Sequence, residues 1–141
     1  MAIFIIGSQH PGEANGSHVL NGFLRYLLSN NSEQMKLLRQ NCDFHVIPML
    51  NPDGVVMGNF RTSLYGKDLN RLFKKNQTTM TPEVEFSRSL AFDLAKKYKK
   101  RMFMFLDFHG HSVRKNAFCY APGFFETSAL EDIREFPKII A

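Results

Sequence analysis

The sequence predicts an α/β protein with a mixed, largely parallel sheet and flanking helices. Short apolar runs bounded by glycine, proline or polar residues predict strands, and the first of them opens the chain at residues 2–7. Segments with apolar residues at helical spacing separate these runs, as in residues 15–29. Strands that alternate with helices form parallel sheets, whose binding sites lie beyond the carboxyl ends of the strands.

Two strands and two helices are predicted in the first 50 residues. The apolar run 2–7 predicts a buried strand closed by a glycine. Residues 15–29 predict an amphipathic helix, and Ser32 is expected to cap a shorter helix over residues 33–40. Residues 44–49 predict a second strand, which prolines at and beyond its end would terminate.

The second half of the chain begins with residues 51–70, which are rich in Gly, Asn and Asp and predict a long loop without periodicity. Thr81, followed by Pro82 and acidic residues, predicts the start of a third helix that ends near the lysine cluster at residues 96–100. Residues 102–107 predict a third strand, buried on both faces. A fourth strand is expected at residues 117–121 and a weak helix near residues 128–135.

Composition narrows the class of protein and of partner. The 141 residues are 44% hydrophobic and 22% charged, which suits one soluble globular domain. No apolar run is long enough for a transmembrane helix or a signal peptide, so we expect a cytoplasmic protein without a membrane partner, whose two cysteines are free thiols. The net charge of +5 favours an acidic partner, and no nucleic-acid-binding motif accompanies it.

Metal-ligand residue types follow the first and third predicted strands. His10 and Glu13 stand three residues apart after the first strand, and His109 follows the third. A zinc site with an open position has three protein ligands, commonly histidine and carboxylate. A lone histidine is more often a surface residue than a ligand, but these three residue types at the carboxyl ends of two strands favour a zinc site.

Four motifs stand in order along the chain. They are His10-Pro11-Gly12-Glu13, Gly58-Asn59-Phe60-Arg61, Asp68-Leu69-Asn70-Arg71 and Asp107-Phe108-His109-Gly110-His111-Ser112. Together they resemble the zinc carboxypeptidases of the carboxypeptidase A type, and their residues are similar to those of the cytosolic, tubulin-deglutamylating branch. The resemblance implies that His10, Glu13 and His109 bind one Zn²⁺ per chain.

The resemblance also implies the residues that handle the substrate. Arg61 matches the arginine that polarises the scissile carbonyl, and Asn70 and Arg71 match the pair that binds the terminal carboxylate. Asp68 matches the aspartate that hydrogen-bonds a ligand histidine, here His10. The function implied by this branch is a metallocarboxypeptidase that removes carboxy-terminal residues, namely glutamates, from acidic protein tails such as that of tubulin by means of zinc-activated water. The oligomeric state stays open.

The resemblance covers only the amino-terminal part of a catalytic domain. The family's general base is a glutamate roughly a hundred or more residues beyond the third zinc ligand, whereas 32 residues follow His109. Residues 1–141 are therefore expected to be a partial peptidase domain whose carboxyl-terminal half, with the base, is absent. Two alternatives stay open: an inactive fragment or pseudoenzyme that binds zinc and glutamylated chain ends, and a zinc-dependent N-acyl amino acid acylase. Arg61 and Arg71 have a structural alternative, as ion-pair partners of Asp53 or Asp68.

Overall fold

The computed structural model describes residues 1–74, 80–99, 103–121 and 134–139. Residues 1–110 form one compact unit and residues 111–141 a second. The first unit contains a three-stranded sheet with the order β2-β1-β3, in which β1 pairs in parallel with both neighbours. The strands are β1 (Ala2–Gly7), β2 (Asp43–Ile47) and β3 (Phe103–Phe108). The predicted α/β class with a parallel sheet is confirmed.

Helices connect the strands and cover both faces of the sheet. Side chains alternate along β1, so Ile3 and Ile5 pack with Leu20 on one face, while Phe4 and Ile6 pack on the other. All six residues of β1 are buried, because this strand has a neighbour on each side and a helix over each face. The helices are α1 (Ala14–Ser29), α2 (Glu33–Asn41), α3 (Pro52–Val56) and α4 (Pro82–Tyr98), with a 3₁₀ turn at Leu69–Arg71.

The helix ends agree with the sequence in part. The Ser32 side chain accepts a hydrogen bond from the Met35 backbone N–H at 3.4 Å, which confirms the predicted cap of α2. Helix α1 begins at Ala14, one residue earlier than predicted, and Glu13 occupies its N-cap position without a side-chain hydrogen bond. Thr81 holds the N-cap position of α4, also without a side-chain hydrogen bond.

The long loop predicted at residues 51–70 contains more local structure than expected. Asn51 accepts a hydrogen bond from the Gly54 backbone N–H at 3.0 Å, and Pro52 occupies the first turn of α3. Asp68 caps the 3₁₀ turn in the same way, with its carboxylate 2.9 Å from the Asn70 backbone nitrogen. Helices this short complete too few turns to display a 3.6-residue periodicity, so the pattern gave no signal for them.

Strand β3 is less buried than its composition predicts. Phe105 in the middle of the strand is 42% exposed, because β3 has a single hydrogen-bonded neighbour within the described part of the chain. The fourth strand predicted at residues 117–121 is wrong, since no strand occurs in the described residues 111–121, all of which are exposed. Residues 134–139 are helical, and most of the helix predicted at 128–135 lies outside the described residues.

The described part of the second unit is a polar and aromatic segment. The Arg114 guanidinium lies over the rings of Phe118 and Tyr120, at 5.3 and 5.6 Å from their centroids. The ring nitrogen Nδ1 of His111 accepts hydrogen bonds from the backbone N–H groups of Val113 and Arg114. Both cysteines of the chain are free, as expected, and none of the described helices combines the length and apolarity required to cross a bilayer.

Two glycines of α1 provide a test of how helix and sheet pack. A Cβ at Gly16 would lie 2.8 Å from the His109 carbonyl carbon and 3.1 Å from the Phe108 oxygen, whereas a Cβ at Gly22 would meet nothing within 4 Å. Glycine to alanine favours a helix by about 0.5–1 kcal/mol. We therefore expect Gly22→Ala to stabilise the protein by about that amount, and Gly16→Ala to destabilise it by about 1–3 kcal/mol through overpacking against fixed backbone.

Urea unfolding of the purified protein and of both variants measures this difference directly. The two substitutions share a helix and the same gain in helix propensity, so Gly22→Ala is the matched control for Gly16→Ala. Equal stabilisation by both would show that α1 does not approach the end of β3 as closely as the structure indicates.

Candidate metal centre

The parallel register brings the chain segments after β1 and β3 to the same edge of the sheet. Gly7, the last residue of β1, pairs with Phe108, the last residue of β3. His109 follows β3 directly, and His10 lies three residues beyond the end of β1. One ligand atom from each of His10, Glu13 and His109 lies within 4.8 Å of the other two, so the structure brings the three predicted ligands together.

Ser8 gives the chain its turn between β1 and His10. Its φ of 51° lies in the left-handed region, which is uncommon for a residue with a Cβ. Its hydroxyl is 2.8 Å from the Ser17 hydroxyl and 3.3 Å from the Pro48 carbonyl oxygen. These contacts with α1 and with the segment after β2 offset the local strain and fix the direction in which the chain reaches His10.

His10 is buried, at 3% exposure, and both of its ring nitrogens have partners. Its Nε2 lies 3.1 Å from Asp68 Oδ1, and its Nδ1 lies 2.9 Å from Glu13 Oε1. A histidine that donates one ring N–H to a carboxylate presents its other nitrogen to a metal. The contact expected between Asp68 and His10 is present, and it orients Nδ1 towards Glu13.

Asp68 holds its charge through several donors. Its Oδ2 accepts a hydrogen bond from Arg61 Nε at 2.8 Å, in addition to the contacts of Oδ1 with His10 and the Asn70 backbone nitrogen. Burial raises the pKa of Asp68, but these hydrogen bonds lower it more, so its pKa lies below the usual aspartate value. A carboxylate with this pKa is ionised at neutral pH.

Arg61 forms an ion pair with Asp68. This pairing is the structural role that the sequence left open for Arg61 as an alternative to a role in catalysis. The pair uses only Nε, and the two terminal guanidinium nitrogens make no hydrogen bond with the described residues. The side chain is 42% exposed. Arg61 is therefore oriented by Asp68 and keeps two nitrogens with which it can meet another group.

His109 contacts two side chains besides the ligand cluster. Its Nδ1 lies 2.9 Å from Asp107 Oδ1, and its Nε2 lies 3.2 Å from the Asn70 amide nitrogen. Burial lowers the pKa of His109, but the direct contact with the Asp107 carboxylate and the charges of Asp107 and Glu13 raise it more, so its pKa lies above the ordinary histidine value. Asp107 was assigned no role from the sequence. It precedes His109 by two residues at a strand end, and this spacing places both side chains on the same side of the strand.

Glu13 is held in place by the chain segment that follows His109. Its Oε2 accepts a hydrogen bond from the Gly110 backbone N–H at 2.8 Å. A Cβ at position 110 would lie 2.0 Å from the Asn15 amide oxygen and 3.0 Å from Glu13 Cβ, so a larger residue there would displace the Asn15 side chain and crowd Glu13. Both carboxylate oxygens of Glu13 are therefore placed, one towards His10 and one towards the backbone after β3.

A cavity of about 450 Å³ lies beside this cluster, on the face of the sheet that α4 covers. Arg71 is exposed, and its side chain makes no hydrogen bond or ion pair with the described residues. Asn70 contacts His109 and also borders the cavity. The residues predicted to bind the substrate's terminal carboxylate, Asn70 and Arg71, therefore lie next to the ligand cluster. The lining residues are Ile6, Asn70, Arg71, Phe73, Lys74, Phe105 and Asp107.

The donor set fits zinc. Two imidazoles and one carboxylate form a common ligand set for zinc with an open fourth position. Each histidine has a carboxylate at its second ring nitrogen, Asp68 for His10 and Asp107 for His109, as is usual for histidines that bind a metal. His10, Glu13 and His109 are thus suited to hold one Zn²⁺.

Comparisons with known proteins agree with this chemistry. The zinc carboxypeptidase family profile matches residues 1–139. Cytosolic carboxypeptidase 3 of Bos taurus is 43% identical over 84% of this chain, and cytosolic carboxypeptidase 2 of Homo sapiens is 44% identical over the same share. The matched segments make up 12% and 13% of those two proteins, so the chain spans a small part of their length.

Solved structures show the same similarity. A metallo-carboxypeptidase from Pseudomonas aeruginosa, in complex with (2-guanidinoethylmercapto)succinic acid, matches with a TM-score of 0.64 and 31% identity, over 79% of this chain and 28% of that one. A metallo-carboxypeptidase from Burkholderia cenocepacia matches with a TM-score of 0.62 and 31% identity, over 66% of this chain and 25% of that one.

Zinc binding tests the centre without reference to activity. We expect one Zn²⁺ per chain, and His109→Gln to remove stoichiometric binding because it leaves two protein ligands. Asp68→Asn is expected to weaken zinc affinity by about 10–100-fold through the lost support of His10. The measurements are metal content by mass spectrometry and competition with a chelator.

His18→Gln is the matched control, since His18 is an exposed histidine on α1 away from the ligand atoms. It should leave both the stoichiometry and the affinity unchanged. Undiminished zinc binding by His109→Gln would rule out the proposed ligand set.

Proposed function

Because this chain belongs to the zinc carboxypeptidase family, we propose that it forms part of a metallocarboxypeptidase site that removes carboxy-terminal residues from peptides. One observation carries the proposal: the His–Glu–His cluster lies beside two arginines with unused guanidinium nitrogens, Arg61 and Arg71. A metallocarboxypeptidase requires a metal site, a group for the developing negative charge and a receptor for the terminal carboxylate.

His10, Glu13 and His109 would hold the zinc ion. When bound, zinc lowers the pKa of a coordinated water to about 7 and polarises the substrate carbonyl. Asp68 keeps the His10 ring in place, and the Gly110 N–H keeps Glu13 in place, so the ligands need little rearrangement to bind the ion.

Arg61 would stabilise the negative charge that develops on the carbonyl oxygen. Its ion pair with Asp68 fixes the guanidinium through Nε and leaves the two terminal nitrogens to donate. Donors that are oriented before the reaction stabilise developing charge more than mobile ones, because no reorganisation is needed during the step.

Arg71 and Asn70 would bind the carboxylate at the end of the substrate. A guanidinium donates two parallel hydrogen bonds to a carboxylate, and Arg71 has no described partner that competes for them. The cavity beside Arg71, of about 450 Å³, would accept the side chain of the terminal residue. Recognition of a free carboxylate restricts cleavage to chain ends.

We further propose that the substrates are acidic tails that end in glutamate, such as that of tubulin, and that the protein works in the cytoplasm. The net charge of +5 supports an acidic substrate. The similar proteins are named cytosolic carboxypeptidases, which supports the location.

The general base is assigned to no residue of this chain. We propose that residues 1–141 are part of a longer catalytic domain, which is consistent with the small fraction of each relative that they match. General-base catalysis contributes about 10²–10⁴-fold to a hydrolytic rate, so these residues alone would hydrolyse a peptide slowly or not at all.

The test is the release of glutamate by the full-length zinc-loaded protein from two peptides that differ only in a free or an amidated carboxyl terminus. We expect cleavage of the free acid alone. Arg71→Ala should lower kcat/KM for the free acid by about 10–200-fold, the equivalent of the 1.5–3 kcal/mol of a hydrogen bond to a charged group.

Arg25→Ala, at an exposed arginine of α1, is the control and should retain full activity. Equal cleavage of the amidated peptide would contradict the role of Arg71 and favour an acylase-like or internal hydrolysis. Tight binding of the acidic peptide without release of any product would contradict the enzymatic function and indicate a pseudoenzyme that binds chain ends.

A further inference from the structure

We propose that Lys74 gives the site its preference for an acidic side chain on the residue that is removed. This inference rests on the proposed function and adds a residue that none of the four sequence motifs contains. Lys74 lies three residues beyond Arg71, the last residue of the 3₁₀ turn, and lines the same cavity. A second cation beside the residues that bind the terminal carboxylate would have no charge partner on a substrate whose terminal side chain is neutral.

The cavity combines an apolar wall with a positive rim. Ile6, Phe73 and Phe105 form the apolar part of the lining. Arg71 and Lys74 are its two cations, and neither side chain makes a hydrogen bond or ion pair with the described residues. A glutamate side chain has the matching construction, because two methylene groups separate its carboxylate from the backbone.

The single acidic residue in the lining does not cancel this charge. Asp107 Oδ1 lies 2.9 Å from His109 Nδ1, so this carboxylate faces the ligand cluster. The lining therefore carries two cations against one carboxylate, which leaves a net positive charge for a ligand.

The two cations have different shapes and suit different carboxylates. The planar Arg71 guanidinium is suited to the fixed geometry of the terminal carboxylate, with two parallel hydrogen bonds. The Lys74 ammonium is a point charge on a flexible stem, which can follow the more variable position of a side-chain carboxylate. A terminal glutamate therefore uses both cations, whereas a terminal glutamine leaves Lys74 without a charge partner.

The experiment compares two peptides that are identical except for a terminal glutamate or glutamine, with the full-length zinc-loaded protein. The measured quantity is the ratio of kcat/KM for the glutamate peptide to that for the glutamine peptide. We expect Lys74→Gln to reduce this ratio about five- to tenfold and Lys74→Glu to reverse the preference. Lys96→Gln, which removes the same charge from an exposed position on α4, should leave the ratio unchanged.

An unchanged ratio in Lys74→Gln would overturn the proposal, including the case in which kcat/KM falls equally for both peptides. Retention of one zinc per chain by Lys74→Gln shows that the variant is folded. The same loss of preference in Lys96→Gln would also overturn it, since the effect would then come from net charge rather than from the cavity.

Equilibrium binding of N-acetylglutamate and N-acetylglutamine, followed by calorimetry, separates this inference from the proposed function because it needs no turnover. Stronger binding of N-acetylglutamate that is lost in Lys74→Gln supports the inference even if no peptide is cleaved. Equal binding of both compounds by the unaltered protein would overturn it even if the protein proves to be a carboxypeptidase.

Discussion

The Asp68 carboxylate joins three separate parts of the chain into one site. It contacts His10 after β1, Arg61 in the following loop and the backbone of Asn70 at the 3₁₀ turn. Asp68 is partly buried, and a carboxylate withdrawn from water is stabilised by several donors, so these contacts support one another. The orientation of a candidate metal ligand, of an arginine and of the turn that carries Arg71 therefore depends on the contacts of a single carboxylate.

The fold was predictable where short-range chemistry decides it. The four consecutive apolar residues before Gly7 suffice for a buried central strand, and Ser32 suffices for the start of α2. The prediction failed where distant neighbours decide, as at residues 117–121, whose composition suits a strand but which have no strand partner among the described residues. The exposure of Phe105 has the same origin, since a position in the order β2-β1-β3 cannot be read from β3 itself.

The candidate site follows a similar division. The convergence of His10, Glu13 and His109 was predictable, because parallel strands bring their carboxyl ends to one edge. Asp107 and Lys74 were missed, although each stands at a spacing that places it beside a recognised residue. Such spacing is frequent in any sequence and acquires meaning only with the cavity and the distances in view.

The strand order also has a consequence for local opening of the protein. Amides of β1 are hydrogen-bonded within a strand that has partners on both sides, whereas β3 has one partner in the described residues. Hydrogen exchange should therefore reach β3 before β1, which means that His109 leaves the cluster while His10 is still in place. A cation bound by both histidines would couple β3 to β1 and slow the hydrogen exchange of β3. Metal occupancy would then be visible as protection of backbone amides, even without a change in the conformation of the protein.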